Sequence, residues 1–212
     1  DDWHPVCPAE ALAAKGPLAA NLLGLDIVVW RAEDGVRAWR DLCVHRGTRL
    51  SLGRVEGRTL RCPYHGWVYD GSGRCIHVPA QPDSPPPSRA KVTAYRAVEC
   101  HGLIWVCLGE PRRDPPPFPE WADPSFRKLL CGPYPVEASG PRIVENFLDV
   151  AHFAFVHDSI LGTPERPEIA DYAASITEEG VEAKGVRVWQ PDPYGTGQGD
   201  WVSYTYRALR PL

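Results

Sequence analysis

Two short segments, each pairing a cysteine with a histidine, constrain the fold of this chain more than any other feature of its sequence. Cys43 is followed by His45 two positions later, and after sixteen intervening residues Cys62 is followed by His65 three positions later. Thiolates and imidazoles are metal ligands. Two loops that each supply one thiolate and one imidazole can together bind a single metal centre. The sequence therefore predicts a metal centre, which is either zinc or an iron–sulfur cluster.

The order of these four residues bears on the choice of metal. Zinc fingers of the common kind keep their cysteines together and their histidines together, whereas here each loop contains one of each. In a [2Fe–2S] cluster of mixed ligation, two cysteines bind one iron and two histidines bind the other. Each loop would then supply one ligand to each iron. The arrangement favours iron–sulfur, and a zinc site stays open as the alternative.

Composition and charge restrict the class of protein. With 212 residues, of which 43% are hydrophobic and 24% charged, the chain is long enough for one large domain or two small ones. A net charge of −4 argues against a nucleic-acid-binding protein, which would present a basic surface. No apolar run is long enough to cross a bilayer. We therefore expect small-molecule or protein partners, and neither nucleic acid nor membrane.

The cysteine count and the ends of the chain indicate a cytoplasmic protein fragment. The seven cysteines are odd in number and follow no signal peptide, which favours reduced thiols in the cytoplasm. The sequence has no methionine, and it stops at Leu212 soon after an alternating segment, 201–209, that is typical of a strand inside a sheet. We expect a piece of a longer protein.

Short β-type segments separated by turn residues are frequent along the chain. Asp34-Gly35 lies between two such segments and predicts a hairpin, and Asp70-Gly71 predicts another. Residues 98–109 have the apolar density of one buried strand. Two further strands within residues 180–209 flank a glycine-rich loop and predict a third hairpin.

A proline-rich segment, 110–121, separates the two halves of the chain. Proline lacks a backbone N–H and fixes φ, so this segment can continue neither a sheet nor a helix. We therefore predict an all-β domain over residues 1–117 and a second domain over residues 118–212.

The segment from Glu145 to His157 has the length and apolar density of a buried helix. Its polar residues, which include Asp149 and His152, would then lie in a low dielectric and need partners or a metal ion. Asp149 and His152, three apart, would share one face, whereas His152 and His157, five apart, would point about 140° apart. Both histidines can bind one ion only if the helix is widened locally, as in a π-bulge, or ends between them.

Each of these polar residues also has a structural explanation that involves no metal. Asp149 alone could be a surface acid of the helix, and His157 could cap the helix end. Glu145 could be a solvated residue of the first turn.

The cysteine and histidine loops resemble the Rieske [2Fe–2S] motif, Cys-x-His and Cys-x-x-His, and the adjoining "HRG" and "HGWVYDGSG" resemble the form found in Rieske non-haem iron oxygenases. Respiratory Rieske proteins differ by an additional cysteine in each loop that closes a disulfide. This sequence has Thr48 and Tyr64 near those positions, so it resembles the low-potential oxygenase type. The segment "ENFLDVAHFAFVH" is similar to the mononuclear-iron motif of the same family.

The resemblance implies a ligand role for each residue of the two loops. Cys43 and Cys62 would bind the inner iron of the [2Fe–2S] cluster. His45 and His65 would bind the outer iron.

For the second motif, the resemblance implies a mononuclear Fe(II) bound by His152 and His157, as two members of a facial triad with one carboxylate. Asp149 would be the bridge that links this iron to a Rieske histidine of the neighbouring subunit. That arrangement implies a ring-shaped homo-oligomer, usually a trimer in this family.

The third iron ligand is where the sequence departs from the family pattern. In relatives this carboxylate comes far downstream, past Leu212. The first four acidic residues after the second histidine lie in a loop-like stretch too soon after it to substitute; they are Asp158, Glu165, Glu168 and Asp171. We therefore expect that the third ligand is not in this chain and that its iron site is incomplete.

For the fold, the resemblance implies the α+β class, with an N-terminal all-β Rieske [2Fe–2S] domain followed by the beginning of a helix-grip-like α+β catalytic domain. For function, it implies the oxygenase component of a Rieske-type oxygenase. Such a component uses O₂ and electrons from NAD(P)H, delivered by a reductase or ferredoxin, to hydroxylate or oxidatively demethylate an aromatic or heteroaromatic small molecule. Residues 159–172 would form an entrance loop to the substrate site.

Two alternatives from other functional classes remain. One is a Rieske ferredoxin-like electron carrier without substrate chemistry, against which the second motif, with His152 and His157, argues. The other is a structural zinc protein, which would be colourless.

Overall fold

The computed structural model describes residues 1–210, without the side chains of residues 13–15. The chain divides into two compact units, one over Asp1–Pro133 and the other from Tyr134 onward. No helix in the described part of the chain is both long and apolar enough to span a bilayer.

The first unit is built mainly of antiparallel strands. In chain order these are β1 (His4–Pro8), β2 (Leu18–Leu22), β3 (Leu25–Ala32), β4 (Gly35–Arg40), β5 (Arg54–Glu56), β6 (Thr59–Arg61), β7 (Val68–Tyr69), β8 (Cys75–His77), β9 (Ala94–Cys100) and β10 (Leu103–Cys107). The helices α1 (Ala9–Lys15) and α2 (Pro119–Ala122) and a 3₁₀ turn at Leu50–Leu52 accompany them. Helix α2 begins inside the proline-rich segment, so the prediction that this segment continues no helix is wrong at its end, where Pro119 occupies the first helical turn and its missing N–H has no partner to lose. The strands form one sheet in the order β1-β10-β9-β4-β3-β2 and a second in the order β5-β6-β7-β8.

The core of this unit lies on both faces of the larger sheet. Residues 27–30 of strand β3 are a continuous apolar run and are therefore suited to burial on both sides. Its Val28 and Trp30 belong to a cluster shared with the smaller sheet, which contributes Leu60. Its Ile27 and Val29 belong to the cluster on the opposite face. The two hairpins predicted in this unit are confirmed, because β3 pairs with β4 and β7 pairs with β8.

The prediction of one buried strand over residues 98–109 is wrong. Strands β9 and β10 form a hairpin there, with Cys100 opposite Leu103. The turn residues His101 and Gly102 both have positive φ, 54° and 71°, as the right-handed twist of a two-residue hairpin requires. His-Gly is not one of the residue pairs, such as Asn-Gly and Asp-Gly, that signal a two-residue hairpin, so the apolar pattern concealed the turn.

The second unit contains the helices α3 (Gly140–Leu148) and α4 (Phe153–Val156) and the strands β11 (Ala173–Thr177), β12 (Gly180–Gln190) and β13 (Asp200–Leu209). The three strands form an antiparallel sheet in the order β11-β12-β13. The long β12–β13 hairpin over a glycine-rich loop confirms the third predicted hairpin. Val150, Phe153 and Tyr204 belong to the apolar cluster that joins the helical segment to this sheet.

The prediction of one buried helix from Glu145 to His157 is wrong. Helix α3 ends at Leu148 because the Asp149 carboxylate accepts the N–H of Ala151 at 2.7 Å, a local bond that competes with the helical ladder. Most of the segment is also exposed, including Phe147, Phe155 and Val156 at 54%, 64% and 70%. The described part of this unit offers one sheet face, which can cover only one side of the helices.

The burial predicted for Glu145 is wrong for the same reason. Its side chain is 62% exposed and pairs with Arg142 at 2.6 Å. Glu145 is therefore the solvated residue of the structural alternative, and it is not a buried group in need of a metal.

Candidate metal centres

The two cysteine and histidine loops have the same backbone arrangement. The Cys43 carbonyl accepts the N–H of Gly47 at 2.9 Å, and the Cys43 N–H donates to Thr48 O at 2.8 Å. In the second loop the Cys62 carbonyl accepts the N–H of Gly66 at 3.2 Å, and the Cys62 N–H donates to the Trp67 carbonyl at 2.9 Å. Both loops therefore present their cysteine and histidine from closely similar turns.

A glycine closes each turn. Gly47 and Gly66 have φ of +74° and +69°, a backbone region that strains residues with a Cβ. A Cβ on Gly66 would also lie 3.1 Å from Pro79. The glycines that follow the two ligand pairs are thus required by the turns themselves.

The two thiols lie next to each other inside the core. Cys43 is 3% exposed and Cys62 is 2% exposed, and both belong to the core cluster that the two sheets share. Burial raises the pKa of the Cys62 thiol, and contact with Cys43 raises it further, while the N–H groups of Tyr64 and His65 lower it. Binding of a metal ion would displace the proton, because coordinated thiols are deprotonated.

The two imidazoles also lie next to each other, but their surroundings differ. The ring centroids of His45 and His65 are 4.5 Å apart. His45 is half-buried and stacks on Trp67, with ring planes 5° apart and centroids 4.4 Å apart. His65 is exposed. Desolvation, His65 and Arg46 lower the pKa of His45, which favours the neutral imidazole that a metal ligand must be.

One atom in particular indicates that a group belongs between the loops. His45 Nδ1 is buried and has no hydrogen-bond partner among the described residues. A buried polar atom without a partner costs free energy that a bound metal would recover. Two adjacent thiols and two adjacent imidazoles, one with an unpartnered nitrogen, fit a cluster that takes two ligands of each type.

Two residues near the loops were missed by the sequence analysis. The Tyr69 hydroxyl is 3.1 Å from Cys43 Sγ, and Asp41, only 4% exposed, accepts hydrogen bonds from the N–H and hydroxyl of Ser51 at 2.7 and 2.6 Å. Tyr69 follows Cys43 by 26 residues, and at that separation no sequence pattern predicts that two side chains are in contact. The sequence shows that Asp41 is an acid beside a ligand loop. Its burial depends on contacts in the folded chain and could not be predicted from the sequence.

We expect Tyr69→Phe to lower the reduction potential of the bound cluster by about 60 mV, the one-electron equivalent of one hydrogen bond to a charged group. The hydroxyl can donate to Cys43 Sγ, and such bonds stabilise the more negative, reduced cluster. The measurement is a redox titration followed by EPR. Tyr64→Phe is the matched control, because Tyr64 is 65% exposed, and an unchanged potential in Tyr69→Phe would contradict the assignment.

At the second motif, the chain places His152 and His157 at the two ends of the one-turn helix α4. His152 precedes the helix and His157 follows it, and their ring centroids are 5.2 Å apart. The sequence analysis allowed either a locally widened helix or a helix that ends between the two histidines. The structure has the second geometry, because α4 ends at Val156, before His157. Both histidines are half-buried.

Asp149 lies against the first of these histidines. Its Oδ2 is 3.1 Å from His152 Nδ1, and its Oδ1 accepts the Ala151 N–H. The Ala151 N–H and then His152 lower the pKa of the Asp149 carboxyl. An anionic carboxylate on Nδ1 keeps the proton on that nitrogen and leaves Nε2 free for a metal, as outer-shell carboxylates do elsewhere.

No third ligand is brought to this pair by the residues that the structure describes. Their histidine, cysteine and acidic side chains form no group of three or more that could hold one metal ion. The first four acids after the second histidine are exposed; they are Asp158, Glu165, Glu168 and Asp171. The location of the third ligand outside this chain stays a prediction.

Comparison with protein families gives two matches that follow each other along the chain. Residues 2–100 match the Rieske [2Fe-2S] domain. Residues 136–199 match the vanillate O-demethylase oxygenase C-terminal domain. The first match contains both cysteine and histidine loops, and the second contains the histidine pair and Asp149.

Among curated proteins, the chain is similar to methylxanthine N1-demethylase NdmA of Pseudomonas putida. The identity is 43% over 173 residues, which cover 78% of this chain and 49% of the relative. The chain therefore spans about half the length of the curated relative that it matches.

Solved structures show the same likeness in three dimensions. The Pseudomonas putida CBB5 NdmA QL mutant with caffeine superposes with a TM-score of 0.83 at 36% identity, over 99% of this chain and 62% of that one. NdmA with caffeine superposes with a TM-score of 0.77 at 33% identity, over 95% of this chain and 68% of that one. The predicted fold class is confirmed: a Rieske β-sheet domain followed by the start of an α+β oxygenase domain.

Proposed function

The chain belongs to the Rieske non-haem iron oxygenases, and we propose that it is part of an oxygenase component that hydroxylates or oxidatively demethylates an aromatic or heteroaromatic small molecule. The observation on which the proposal rests is the presence of two donor sets of different type in one chain. One is a pair of thiols beside a pair of imidazoles, and the other is a histidine pair with a carboxylate on one ring.

In this proposal Cys43, Cys62, His45 and His65 hold the [2Fe–2S] cluster, and His152 and His157 hold the mononuclear Fe(II). The cluster domain spans residues 1–117, and the catalytic domain begins at residue 118. When bound, the cluster transfers single electrons, and the Fe(II), with open coordination positions, activates O₂.

The residues of the chain determine how each group is held and approached. Trp67 covers one face of His45, while the exposed ring of His65 leaves the histidine edge of the cluster open to a redox partner. Asp149 holds a proton on His152 Nδ1, which leaves Nε2 for the iron. The buried thiols keep the cysteine edge away from water.

The substrate class follows from the relatives and from the chemistry of the site. The matching family and the similar protein are named for O-demethylation of vanillate and N-demethylation of methylxanthines, both aromatic or heteroaromatic. Oxidative demethylation consumes O₂, two electrons and two protons, and it releases formaldehyde and water together with the demethylated ring. Residues 159–172 would border the entrance to the substrate site.

The partners follow from the same chemistry. In this proposal the electrons come from NAD(P)H through a separate reductase or ferredoxin, and the protein works in the cytoplasm, where NAD(P)H is available. Asp149 of one subunit lies next to the Rieske histidine of its neighbour, in a ring-shaped homotrimer.

The first test is EPR of anaerobically purified, dithionite-reduced protein with iron and zinc counted in the same sample. A Rieske-type signal with more than two irons per chain would support both metal centres. The same signal with only two irons, in protein that also includes the downstream carboxylate ligand expected outside this chain, would favour a ferredoxin-like electron carrier. Zinc without a signal would contradict the proposal at the cysteine and histidine loops.

The second test is turnover by the holoenzyme with a chemical or protein electron donor. N-methylated xanthines and O-methylated benzoates are the substrates to supply first. The proposal requires one formaldehyde per substrate consumed, with matching O₂ uptake. Oxygen uptake that is never linked to a product, across both substrate classes, would argue against demethylation.

A further inference from the structure

A hydrogen bond between a buried and a half-buried side chain lies on the sheet face that packs against the histidine segment. Gln190 is 5% exposed, and its Nε2 donates to the hydroxyl oxygen of Tyr204 at 2.5 Å. Removing a neutral polar group from water costs free energy unless the group forms a hydrogen bond in the protein. This bond gives both side chains a partner. The neighbouring inward residues Val186 and Val188 are apolar, so burial alone does not require a polar pair here.

The bond also determines the direction of the tyrosine ring. Tyr204 on β13 lies opposite Val186 on β12, whereas Gln190 is four residues further along β12 and opposite Asp200. To reach Gln190, the Tyr204 side chain must run along the sheet face instead of standing upright on it. The hydrogen bond at the Tyr204 hydroxyl therefore fixes the orientation of the Tyr204 ring. Apolar packing alone would allow the ring to take other orientations.

Phe153 packs against the edge of this held ring. The ring centroids of Tyr204 and Phe153 are 6.4 Å apart, with planes at 74°. Phe153 is the first residue of α4 and lies beside both histidines, with centroid distances of 5.0 Å to His152 and 6.0 Å to His157. A continuous series of contacts thus runs from Gln190 to the two candidate iron ligands.

We propose that Gln190 and Tyr204 are positioning residues that hold the two iron-binding histidines at their mutual distance through Phe153. The inference rests on the proposed function, because it assumes that His152 and His157 bind iron. Helix α4 is a single turn, so its own hydrogen bonds constrain the histidines weakly. The sheet supplies the rigidity that this short helix lacks.

The test compares the variants Tyr204→Phe, Gln190→Leu and their combination in the holoenzyme. Each single change removes the hydrogen bond while keeping a side chain of similar size. We expect the Fe(II) dissociation constant at the histidine pair to rise on the order of 10-fold, the lower end of the effect of outer-shell partners. The double variant should be no worse than either single one, because both remove the same bond.

The spectroscopic readout is the rhombicity of the EPR signal given by the nitric oxide complex of the mononuclear iron, which reports ligand geometry. A purely structural role would lower the unfolding midpoint but leave this rhombicity unchanged. The Rieske signal of the same sample shows that the first unit is intact. Tyr206→Phe is the matched control, because Tyr206 stacks on Tyr204 from the same strand but has no side-chain hydrogen bond among the described residues.

Each outcome bears on the proposal. Weaker Fe(II) binding and a changed rhombicity in Tyr204→Phe and Gln190→Leu, but not in Tyr206→Phe, would support it. Unchanged affinity and rhombicity would overturn it while leaving the proposed function intact, and so would an equal change in Tyr206→Phe. Wild-type protein without mononuclear iron would overturn the proposed function and this inference with it.

Discussion

Replacement of Cys43 by alanine is expected to abolish the iron–sulfur cluster, with iron, sulfide and the Rieske EPR signal falling by an order of magnitude or more. Alanine removes a ligand that no neighbouring oxygen or nitrogen can replace on a thiolate-bound iron. Loss of the cluster should also destabilise the first unit, since a group that binds only the folded state contributes its binding free energy to folding. Metal analysis and thermal unfolding of the purified variant measure both effects.

Cys75→Ala is the matched control for this experiment. Cys75 is 4% exposed and belongs to the same core cluster as Cys43 and Cys62, so the same atom is deleted from the same environment. The control should keep its cluster and lose only the modest free energy of a buried sulfur atom. Cluster loss in Cys75→Ala, or a normal cluster in Cys43→Ala, would show that the ligand assignment is wrong.

The loop geometry could be predicted from the sequence because it is local. A cysteine, a histidine and a glycine within five positions specify a tight turn, and both turns form through hydrogen bonds between residues four or five apart. The predicted hairpins are local in the same way, since Asp34-Gly35 and Asp70-Gly71 bring adjacent segments together. The one hairpin that was missed turns at His101-Gly102, where only one residue has the usual turn chemistry.

The region of the second motif could not be predicted to the same degree, because its structure depends on non-local contacts. Apolar density alone predicted a continuous helix, but a side-chain bond at Asp149 interrupts it. The contacts that Phe153 makes with Tyr204 span 51 positions, from a helix to a strand, and no periodicity in the sequence encodes them. The ligand types were therefore predictable, whereas the groups that orient them were not.

The second large effect is expected for Asp149 in the holoenzyme. Asp149→Ala should slow electron transfer from the cluster to the mononuclear iron by about 100-fold, the upper range for removal of an outer-shell partner. The carboxylate is hydrogen-bonded to His152 Nδ1, and in the proposed trimer it also reaches the neighbouring Rieske histidine. The variant should retain the Rieske spectrum, because its change lies outside the cluster loops. Stopped-flow oxidation of the reduced cluster, with substrate and O₂ present, measures the rate.

Glu145→Ala is the matched control, because Glu145 is an exposed acid four residues earlier and pairs only with Arg142 in the described structure. Iron content then separates the two ways in which Asp149 can act. Slow transfer with iron retained would identify the carboxylate as the bridge between the centres, whereas loss of iron would mean that it acts by orienting His152. A wild-type transfer rate in Asp149→Ala would exclude the bridge, because no other acid is hydrogen-bonded to His152 among the described residues.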